Sequence, residues 1–366
     1  MSDSPVFTPV SEVGEFGLIA RLQEVLGDAA RSESLTTPIG DDAAVSDLGG
    51  GRSQVITTDL FVEGVHFDRT FAPLRALGWK CVAASVSDVC AMNATPTLVT
   101  VALGLPNNLS VEGAEALYTG IAQACERYGC TVAGGDISAS ARLVVSVTVL
   151  GEAETERIVT RAGAAPGEVL CVTGDLGASA AGLELLLRGK EQTLASGAPP
   201  EAAETSGDGS PTISLTPDAA PIDLGQFPTP LERHLMPQAR LDRVRLWREV
   251  GFQPTSLIDV SDGVASEAHH LSIQSTVGVV VEAGLLPVHI QTMQAAEALA
   301  KRAETWALYG GEDYELMFTA PQEALEVLPK DSYAVVGNIV EPEEGVALRM
   351  PDGTVIPMEA DGFKHF

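Results

Sequence analysis

Aspartates recur along this sequence at the edges of apolar segments. The segments are IGDDAAV, QVITTD, SVSDVCAM, VAGGD and LIDVSDGVAS, and they contain Asp42, Asp59, Asp88, Asp136, Asp259 and Asp262. A carboxylate that leaves water is costly unless a cation compensates its charge. Hard divalent ions bind through oxygen, and Mg²⁺ commonly combines a few carboxylates with water and substrate phosphates. The set therefore predicts a magnesium site for phosphoryl transfer, which relies mainly on positioning and charge neutralisation.

Each of these aspartates alone also fits a structural role. Asp262 could cap the helix predicted in VASEAHHLSIQ, and Asp88 could be a hydrogen-bonded residue inside a helix. For the whole set, the alternative is a non-catalytic acidic protein that binds divalent ions at its surface. Such a protein would bind metal without any dependence on nucleotide, and it would tolerate the loss of Asp59 or Asp136.

Two glycine pairs precede acidic residues. The pair at 134–135 precedes Asp136, and the pair at 310–311 precedes Glu312. We expect these glycines to let the backbone approach a ligand closely. Neither pair belongs to a Walker-type phosphate loop, TGDLGAS is interpreted as a turn that opens a helix, and the sequence has no H-R-D kinase signature. A bound nucleotide would therefore be held in a less common way.

Length, composition and charge define the class of protein. At 366 residues the chain is long enough for two packed domains, and its 45% hydrophobic and 20% charged residues are typical of globular proteins. The net charge of −28 argues against binding to nucleic acid or to an anionic membrane. No apolar run reaches the roughly 18 residues of a membrane span, and no secretory signal is evident. The five cysteines lack CxxC spacing, which predicts buried thiols in a reducing cytoplasm.

Hydrophobic periodicity predicts a mixture of helices and strands. Helices are expected at 15–27, 73–93, 110–129 (with Ser110 as N-cap) and 177–189, and strands at 54–59, 97–106, 131–136, 142–151 and 168–174. A second α/β region is expected from 238 to 340, which divides the chain into predicted domains 1–150 and 151–366. The segment 191–227 is rich in Pro, Gly, Ser, Thr and Ala and lacks Lys and Arg. This composition predicts a disordered surface insertion within the second domain.

The ordered set of motifs resembles the thiamine-monophosphate kinases. IGDDAAV, TTDLFVEGVHF, SVSDVCAMNATP, VAGGD, VTRAGAAPGEVLCVTGDLG, IDVSDGV and GGEDYEL follow the family's order and spacing, and the similarity runs from GEFGLIARL to GFKHF except at 191–227. The family belongs to the PurM-like superfamily of aminoimidazole ribonucleotide (AIR) synthetase. The resemblance implies an α+β protein with two AIR-synthetase-like domains, of which the N-terminal mixed α/β domain dimerises. It also implies direct in-line transfer of the ATP γ-phosphoryl to thiamine monophosphate, giving thiamine diphosphate and ADP.

The resemblance also implies roles for individual residues. The magnesium ligands would be Asp42, Thr58, Asp59, Asp88, Asp136, Asp259 and Asp262. The ATP contacts would be Gly135, Asp136, Arg161 and Ser261, and the contacts to thiamine monophosphate would be His66, Glu312 and Phe363. No general base is expected, because the acceptor phosphate is already anionic near neutral pH. The implied setting is a cytoplasmic homodimer that uses ATP, thiamine monophosphate and several Mg²⁺ ions, without nucleic acid or membrane.

The chemistry of the substrate contacts is consistent with these roles. Arg161 could clamp a phosphate through two guanidinium hydrogen bonds, or it could be an ordinary surface cation. His66 could likewise be a structural histidine. Glu312 suits the cationic thiazolium or the aminopyrimidine, and Phe363 could stack on a heteroaromatic ring.

Three short stretches depart from the family pattern. They are Leu60-Phe61 after the TTD motif, Ile137 after the GGD motif, and AMNA in place of AMGA. None removes a carboxylate, so they concern fine geometry. The remaining rival is another ATP-dependent synthetase of the same superfamily. Selenophosphate synthetases need a reactive Cys or selenocysteine with a Lys, neither of which precedes Asp41. Hydrogenase-maturation relatives end in Cys, whereas this chain ends in KHF. AIR synthetases lack the GGEDYEL pattern.

Overall fold

The computed structural model describes residues 8–195 and 223–360. Its helices are α1 Gly14–Leu26, α2 Leu74–Ala91, α3 Val111–Tyr128, α4 Ala178–Ala195, α5 Pro228–Leu235, α6 Leu241–Val250, α7 Val264–Ser275, α8 Ile290–Ala298 and α9 Ala303–Tyr309. Its strands are β1 Leu35–Thr37, β2 Ala44–Gly49, β3 Arg52–Val62, β4 Thr95–Leu105, β5 Thr131–Ala139, β6 Val144–Glu154, β7 Val169–Val172, β8 Ser256–Asp259, β9 Gly278–Glu282, β10 Leu316–Ala320, β11 Ala334–Val340, β12 Val346–Arg349 and β13 Val355–Pro357. The helices and strands predicted before residue 190 are confirmed, with ends that shift by a few residues. Ser110 caps α3 as predicted, accepting a hydrogen bond from the Gly113 N–H.

The first sheet has six strands in the order β1-β2-β3-β6-β4-β5. Neighbouring strands are antiparallel except β4 and β5, which are parallel because α3 connects them. Helix α2 lies against β3 and β6 on one face of the sheet and packs on α3. The two helices approach closely at Gly78 and Gly120, where a Cβ would lie 2.0 Å and 1.8 Å from a backbone oxygen of the other helix. These glycines therefore set the position of α2, which carries much of the site.

The opposite face of the first sheet, called here the outer face, is exposed. It presents large apolar side chains on β3 and β4: Ile56, Leu60 and Leu98 are between 39% and 56% exposed. Every residue of the edge strand β5 is exposed. Contiguous exposed apolar surface of this kind commonly marks an interface.

The second sheet has seven strands in the order β13-β12-β9-β11-β7-β10-β8, and only β12 and β9 are parallel. Helix α7 packs against it. Helices α4, α5, α8 and α9 form a further layer with its own apolar core. Helix α2 also contacts β8 and α6, so it lies between the two halves of the chain. The two sheets separate between Glu154 and Val169, and the predicted domain boundary at 150/151 stays a prediction.

The predicted insertion at 191–227 is wrong at both of its ends. Helix α4 continues to Ala195, and a 3₁₀ turn forms at Leu224–Gln226. Leu224 and Phe227 are buried against the core of α4, α5, α8 and α9 because they are the apolar residues that close this layer. Residues 196–222 and Phe363 lie outside the described residues. All five cysteines are buried free thiols, as predicted. No helix in the described ranges is both long enough and apolar enough to cross a membrane.

Candidate active site

Three of the predicted aspartates meet at the junction of the two halves. Asp42 comes just before β2, Asp88 lies on α2, and Asp259 is the last residue of β8. One carboxylate oxygen from each lies within 4.8 Å of the other two. Three carboxylate oxygens at this spacing can share one small divalent cation, which is the donor chemistry that Mg²⁺ prefers. We call Asp42, Asp88 and Asp259 the acidic cluster.

Hydroxyl groups hold the carboxylates of this region in place. The Thr57 hydroxyl donates to Asp88 at 2.5 Å, and the Ser87 hydroxyl donates to Asp259 at 2.6 Å. Asp59 projects from the inner face of β3 and accepts a hydrogen bond of 2.5 Å from the Ser85 hydroxyl. Sequence reasoning missed Thr57 and Ser87 as parts of the site. Strand alternation offered a signal for Thr57, because residues 57 and 59 of one strand must share a face.

Crowding makes the charged forms of these carboxylates costly. Burial first, and then the neighbouring carboxylates, raise the pKa of Asp88 well above its ordinary value and that of Asp259 to about 8. Burial also raises the pKa of Asp59, against the hydrogen bond from Ser85. A bound cation would stabilise the ionised forms and reverse these shifts. The residues present therefore fit a divalent metal site.

Arg161 lies against the acidic cluster from the second half of the chain. Its Nη2 and Nε donate to the two oxygens of Asp42, at 2.7 Å and 3.2 Å, and its backbone N–H donates to Asp41 at 3.2 Å. Its side chain is 17% exposed. Burial alone would lower the pKa of Arg161, but Asp42 and Asp41 outweigh it and raise this pKa. Arg161 is thus a partly buried ion-pair partner and not a fully exposed surface cation.

The turn after β8 carries Ser261 and Asp262. The N-cap position of α7 is Gly263, so Asp262 does not cap the helix in the way its structural alternative required. The Asp262 N–H instead donates to Glu267 at 2.8 Å. Glu267 is 2% exposed, and burial followed by Asp262 and Asp259 raises its pKa well above the ordinary value. Sequence reasoning missed this acid in the first turn of α7, whose position in SDGVASE gives only a weak signal.

Glu312 lies at the same junction. Its Oε1 is 2.7 Å from the Lys80 ammonium, and its Oε2 is 3.3 Å from Nδ1 of His234. Its backbone N–H donates to the Ser261 carbonyl at 2.6 Å, which ties the GGEDYEL segment to the turn after β8. Burial would raise the pKa of Glu312, but Lys80 and then His234 lower it to about 2.

The two glycine pairs have structural reasons that differ from the expected ligand contact. A Cβ on Gly135 would lie 1.8 Å from the Val101 carbonyl oxygen of the neighbouring strand. Gly311 has a φ of +69°, and a Cβ there would lie 2.5 Å from the Ser261 carbonyl oxygen. Both glycines therefore allow one segment of backbone to approach another, whatever they do for a ligand.

Thr58 and Asp136 lie away from the acidic cluster within one copy of the chain. Strand alternation turns the Thr58 side chain to the outer face, where its hydroxyl is 3.0 Å from that of Thr148. Asp136 is on the edge strand β5, opposite Ala102, and its side chain is exposed on the same outer face. One copy thus brings Asp42, Asp59, Asp88 and Asp259 to one side of the sheet and leaves Thr58 and Asp136 on the other.

His66 occupies the loop that follows β3. Its Nδ1 accepts a hydrogen bond of 2.9 Å from the Val62 N–H, and its ring meets Phe61 edge-on, with 6.1 Å between ring centroids. These contacts fix the imidazole on the loop and assign Nδ1 as an acceptor. They are compatible with either reading of His66, as a substrate contact or as a structural histidine.

Comparison with known proteins places the chain in a family. The family model described as AIR synthase related protein, N-terminal domain, matches residues 40–153. A thiamine-monophosphate kinase of Aquifex aeolicus is 36% identical over 357 residues, which are 98% of this chain and 99% of the relative. The chain belongs to the thiamine-monophosphate kinase family. A second family member, from Bacillus subtilis, is 31% identical over 91% of this chain and 94% of its own length.

A solved structure of the family also matches the whole fold. It is described as AaThiL complexed with AMPPCP and TMP, and it is 34% identical with a TM-score of 0.79. The match covers 99% of this chain and 100% of the other. The expected AIR-synthetase-like α+β fold and the expected kinase family are therefore confirmed.

Proposed function

We propose that this protein is a thiamine-monophosphate kinase, which transfers the γ-phosphoryl group of ATP to the phosphate of thiamine monophosphate. The products would be thiamine diphosphate and ADP. The observation that carries the proposal is the acidic cluster at the junction of the two halves, in a chain that is 36% identical to a thiamine-monophosphate kinase along nearly its whole length. A structure of a similar protein is described with AMPPCP and TMP, an ATP analogue and the acceptor.

The acidic cluster, together with Asp59 and Asp262, would hold Mg²⁺ ions. Raised pKa values and the oxygen-only donor set support this assignment. Mg²⁺, when bound, offsets the charge that keeps two anionic phosphates apart. The protein's own groups then need to orient the two substrates. No side chain has to remove a proton, because the acceptor oxygen is already ionised.

The remaining assignments follow the two substrates. Arg161, Ser261 and Gly135 would contact ATP, and Arg161 has the bidentate geometry to bind a phosphate once it releases Asp42. His66 and Glu312 would contact thiamine monophosphate. Phe363 stays a prediction for the same ligand.

The working protein would be a homodimer that buries the outer face of the first sheet. The exposed apolar side chains of that face support a second copy as its partner. Dimerisation also accounts for Asp136, which one copy holds on the sheet face opposite its own acidic cluster. We assign Asp136 to the cluster of the second copy, so that each site is complete only in the dimer. The domain division at 150/151 and a cytoplasmic location belong to the same proposal.

The deciding assay combines the purified protein with ATP, Mg²⁺ and thiamine monophosphate. Thiamine diphosphate and ADP should form in equal amounts, and EDTA should abolish the reaction. Free thiamine should be a poor acceptor because it lacks the phosphate nucleophile. Asp59→Asn and Asp262→Asn should each reduce turnover steeply without loss of fold. ADP formation that is independent of thiamine monophosphate would contradict the proposal.

A further inference from the structure

We propose that Lys80 is a positioning residue for thiamine monophosphate and acts through Glu312. The inference rests on the proposed function and extends it to a residue outside the acidic motifs. Lys80 lies on α2, in the first half of the chain, whereas Glu312 belongs to the GGEDYEL segment in the second half. Their ion pair therefore links the helix that carries Asp88 of the acidic cluster to the segment expected to recognise the acceptor.

Lys80 occupies a position that would ordinarily be apolar. Its side chain is 5% exposed, and most residues of α2 around it are buried. An ammonium group in such surroundings is costly unless it is paired. Within the described ranges, Glu312 is the one carboxylate within ion-pair distance of Lys80, with 2.7 Å between Nζ and Oε1. The buried ammonium group of Lys80 therefore serves to hold the Glu312 carboxylate in place.

Glu312 is fixed from three directions. Lys80 binds one oxygen, His234 lies at the other, and the Glu312 N–H is bonded to the Ser261 carbonyl. The Glu312 backbone is held at a φ of 55°, which is unusual for a residue with a side chain. The side chain nevertheless remains 30% exposed, so its carboxylate can still meet a ligand. An oriented and accessible carboxylate on a strained backbone is the arrangement expected of a binding group rather than a structural one.

The ion pair changes what Glu312 can recognise. A carboxylate already paired with an ammonium balances little additional positive charge, so it is a poor counter-ion for a thiazolium. It keeps free lone pairs in a fixed direction and is therefore suited to accept hydrogen bonds from an amino group. Lys80 would thus direct Glu312 toward the aminopyrimidine part of the acceptor.

The third member of this group, His234, does not turn the site into a nucleophilic triad. The Ser179 hydroxyl and Glu312 both face Nδ1 of His234, at 3.2 Å and 3.3 Å. A triad needs the hydroxyl and the carboxylate on different ring nitrogens. His234 therefore supports Glu312 and does not activate Ser179.

The test measures KM for thiamine monophosphate and KM for ATP separately in four variants: Lys80→Met, Lys80→Arg, Glu312→Gln and the double variant Lys80→Met/Glu312→Gln. Lys80→Met should raise KM for thiamine monophosphate by about tenfold or more, the usual effect of losing a charged hydrogen bond. KM for ATP should change little. Lys80→Arg should restore part of the loss. In the Glu312→Gln background, Lys80→Met should add almost nothing, because Lys80 acts through Glu312.

The control is Lys301→Met, which removes a more exposed lysine ion pair with Glu184. It should leave both KM values unchanged. A purely structural ion pair would instead lower thermal stability and change KM for both substrates alike. Either that result or a wild-type KM for thiamine monophosphate in Lys80→Met would overturn the inference. The proposed function would still stand, provided that the wild-type protein forms thiamine diphosphate. If Lys80→Met does not fold, Glu312→Gln decides in its place: an unchanged KM for thiamine monophosphate in that variant would reject the role, because Lys80 is proposed to act through Glu312. A wild-type protein that forms no thiamine diphosphate would reject both proposals.

Discussion

Arg161 binds Asp42 with two parallel hydrogen bonds, of 2.7 Å from Nη2 and 3.2 Å from Nε. One partner is the arginine expected to bind an ATP phosphate, and the other is a carboxylate expected to bind metal. In the structure Arg161 therefore stands where a metal ion would bind Asp42, and Asp42 stands where a phosphate would bind Arg161. Binding of MgATP would exchange this pair for two new ones, Arg161 with phosphate and Asp42 with Mg²⁺. The pair keeps both charges compensated before the substrates arrive.

Replacing Arg161 with Met should separate the two roles. KM for ATP should rise by about tenfold or more, because a bidentate contact to phosphate is lost. Binding of Mg²⁺ without nucleotide should become tighter, because Asp42 no longer has a competing cation. Steady-state kinetics and isothermal titration with MgCl₂ measure these changes. Lys at this position should restore little, since it cannot form the two parallel bonds.

The control for this variant is Arg31→Met, in an ion pair whose arginine side chain is 81% exposed. It should alter neither quantity, because exposed pairs contribute little. An Arg161→Met variant that binds ATP normally would exclude Arg161 from the nucleotide site.

Several helices and strands could be predicted from the local pattern of apolar residues. Period-two and helical patterns correctly predicted β3 and α3, because each follows from the burial of one face of an element. The same alternation in VITTDLFV could have assigned Thr57, and not Thr58, to the side of Asp59. The ends of the 191–227 segment were wrong because Leu224 and Phe227 pack on helices far away in the chain, which composition does not reveal.

The site was predictable in its acids but not in their partners. The aspartates could be selected because acids beside apolar runs are unusual wherever they occur. Lys80, Ser87 and Glu267 could not, because each acquires its role from a contact that only the fold creates. Ser87 and Asp259, for example, are 172 residues apart in sequence and 2.6 Å apart in space.

Stability of the metal-free protein should fall as pH rises. The pKa of Asp259 goes from 3.8 in an unfolded reference to about 8 in the fold, so the folded state binds this proton more tightly. The stabilisation that this proton provides is complete below pH 3.8 and is lost as the pH rises through about 8. Thermal unfolding followed from about pH 5 to about pH 9 should therefore show a falling Tm, and added Mg²⁺ should raise Tm most at the alkaline end.

A matched pair of variants identifies the source of this pH dependence. Asp259→Asn should flatten the fall, because it removes the group that must ionise. Asp28→Asn should not, because the Asp28 side chain is 99% exposed. If the Tm of the metal-free protein stayed constant from about pH 5 to about pH 9, the acidic cluster would not bind a proton more tightly in the folded state than in the unfolded state.

The GGEDYEL segment should divide into binding and structural acids. Glu315 is fully buried, and it pairs with Arg233 at 2.7 Å and Arg240 at 2.9 Å. Glu315→Gln would leave the Arg233 guanidinium buried without its counter-charge and would leave Arg240 with Asp242 alone, so we expect a loss of about 3 kcal/mol in the free energy of unfolding. Urea unfolding measures the loss. Where the variant is folded, its KM values should be those of the wild type.

Glu282→Gln is the comparison for Glu315→Gln. Its ion pair with Arg349 is partly exposed, with the arginine side chain at 40% exposure. Removing it should cost less than about 1 kcal/mol. Equal losses in the two variants would mean that burial does not set the strength of these pairs.

Mixed dimers should reveal whether the active site is shared between copies. Asp136 and the acidic cluster lie on opposite faces of the first sheet in one copy, so we expect Asp136 to serve the cluster of the partner. Asp136→Asn and Asp88→Asn should each inactivate the homodimer. A heterodimer of these two variants keeps one site with both acids intact, and it should have about half of the wild-type activity.

Two differently tagged subunits, co-expressed and purified through both tags, provide this heterodimer. The control heterodimer joins Asp88→Asn to Asp259→Asn, which places one lesion in each cluster and should be inactive. If each site lay within a single copy, both heterodimers would be inactive, because every cluster would lack one of its own acids. Activity in the first heterodimer alone would thus assign Asp136 to the site of its partner.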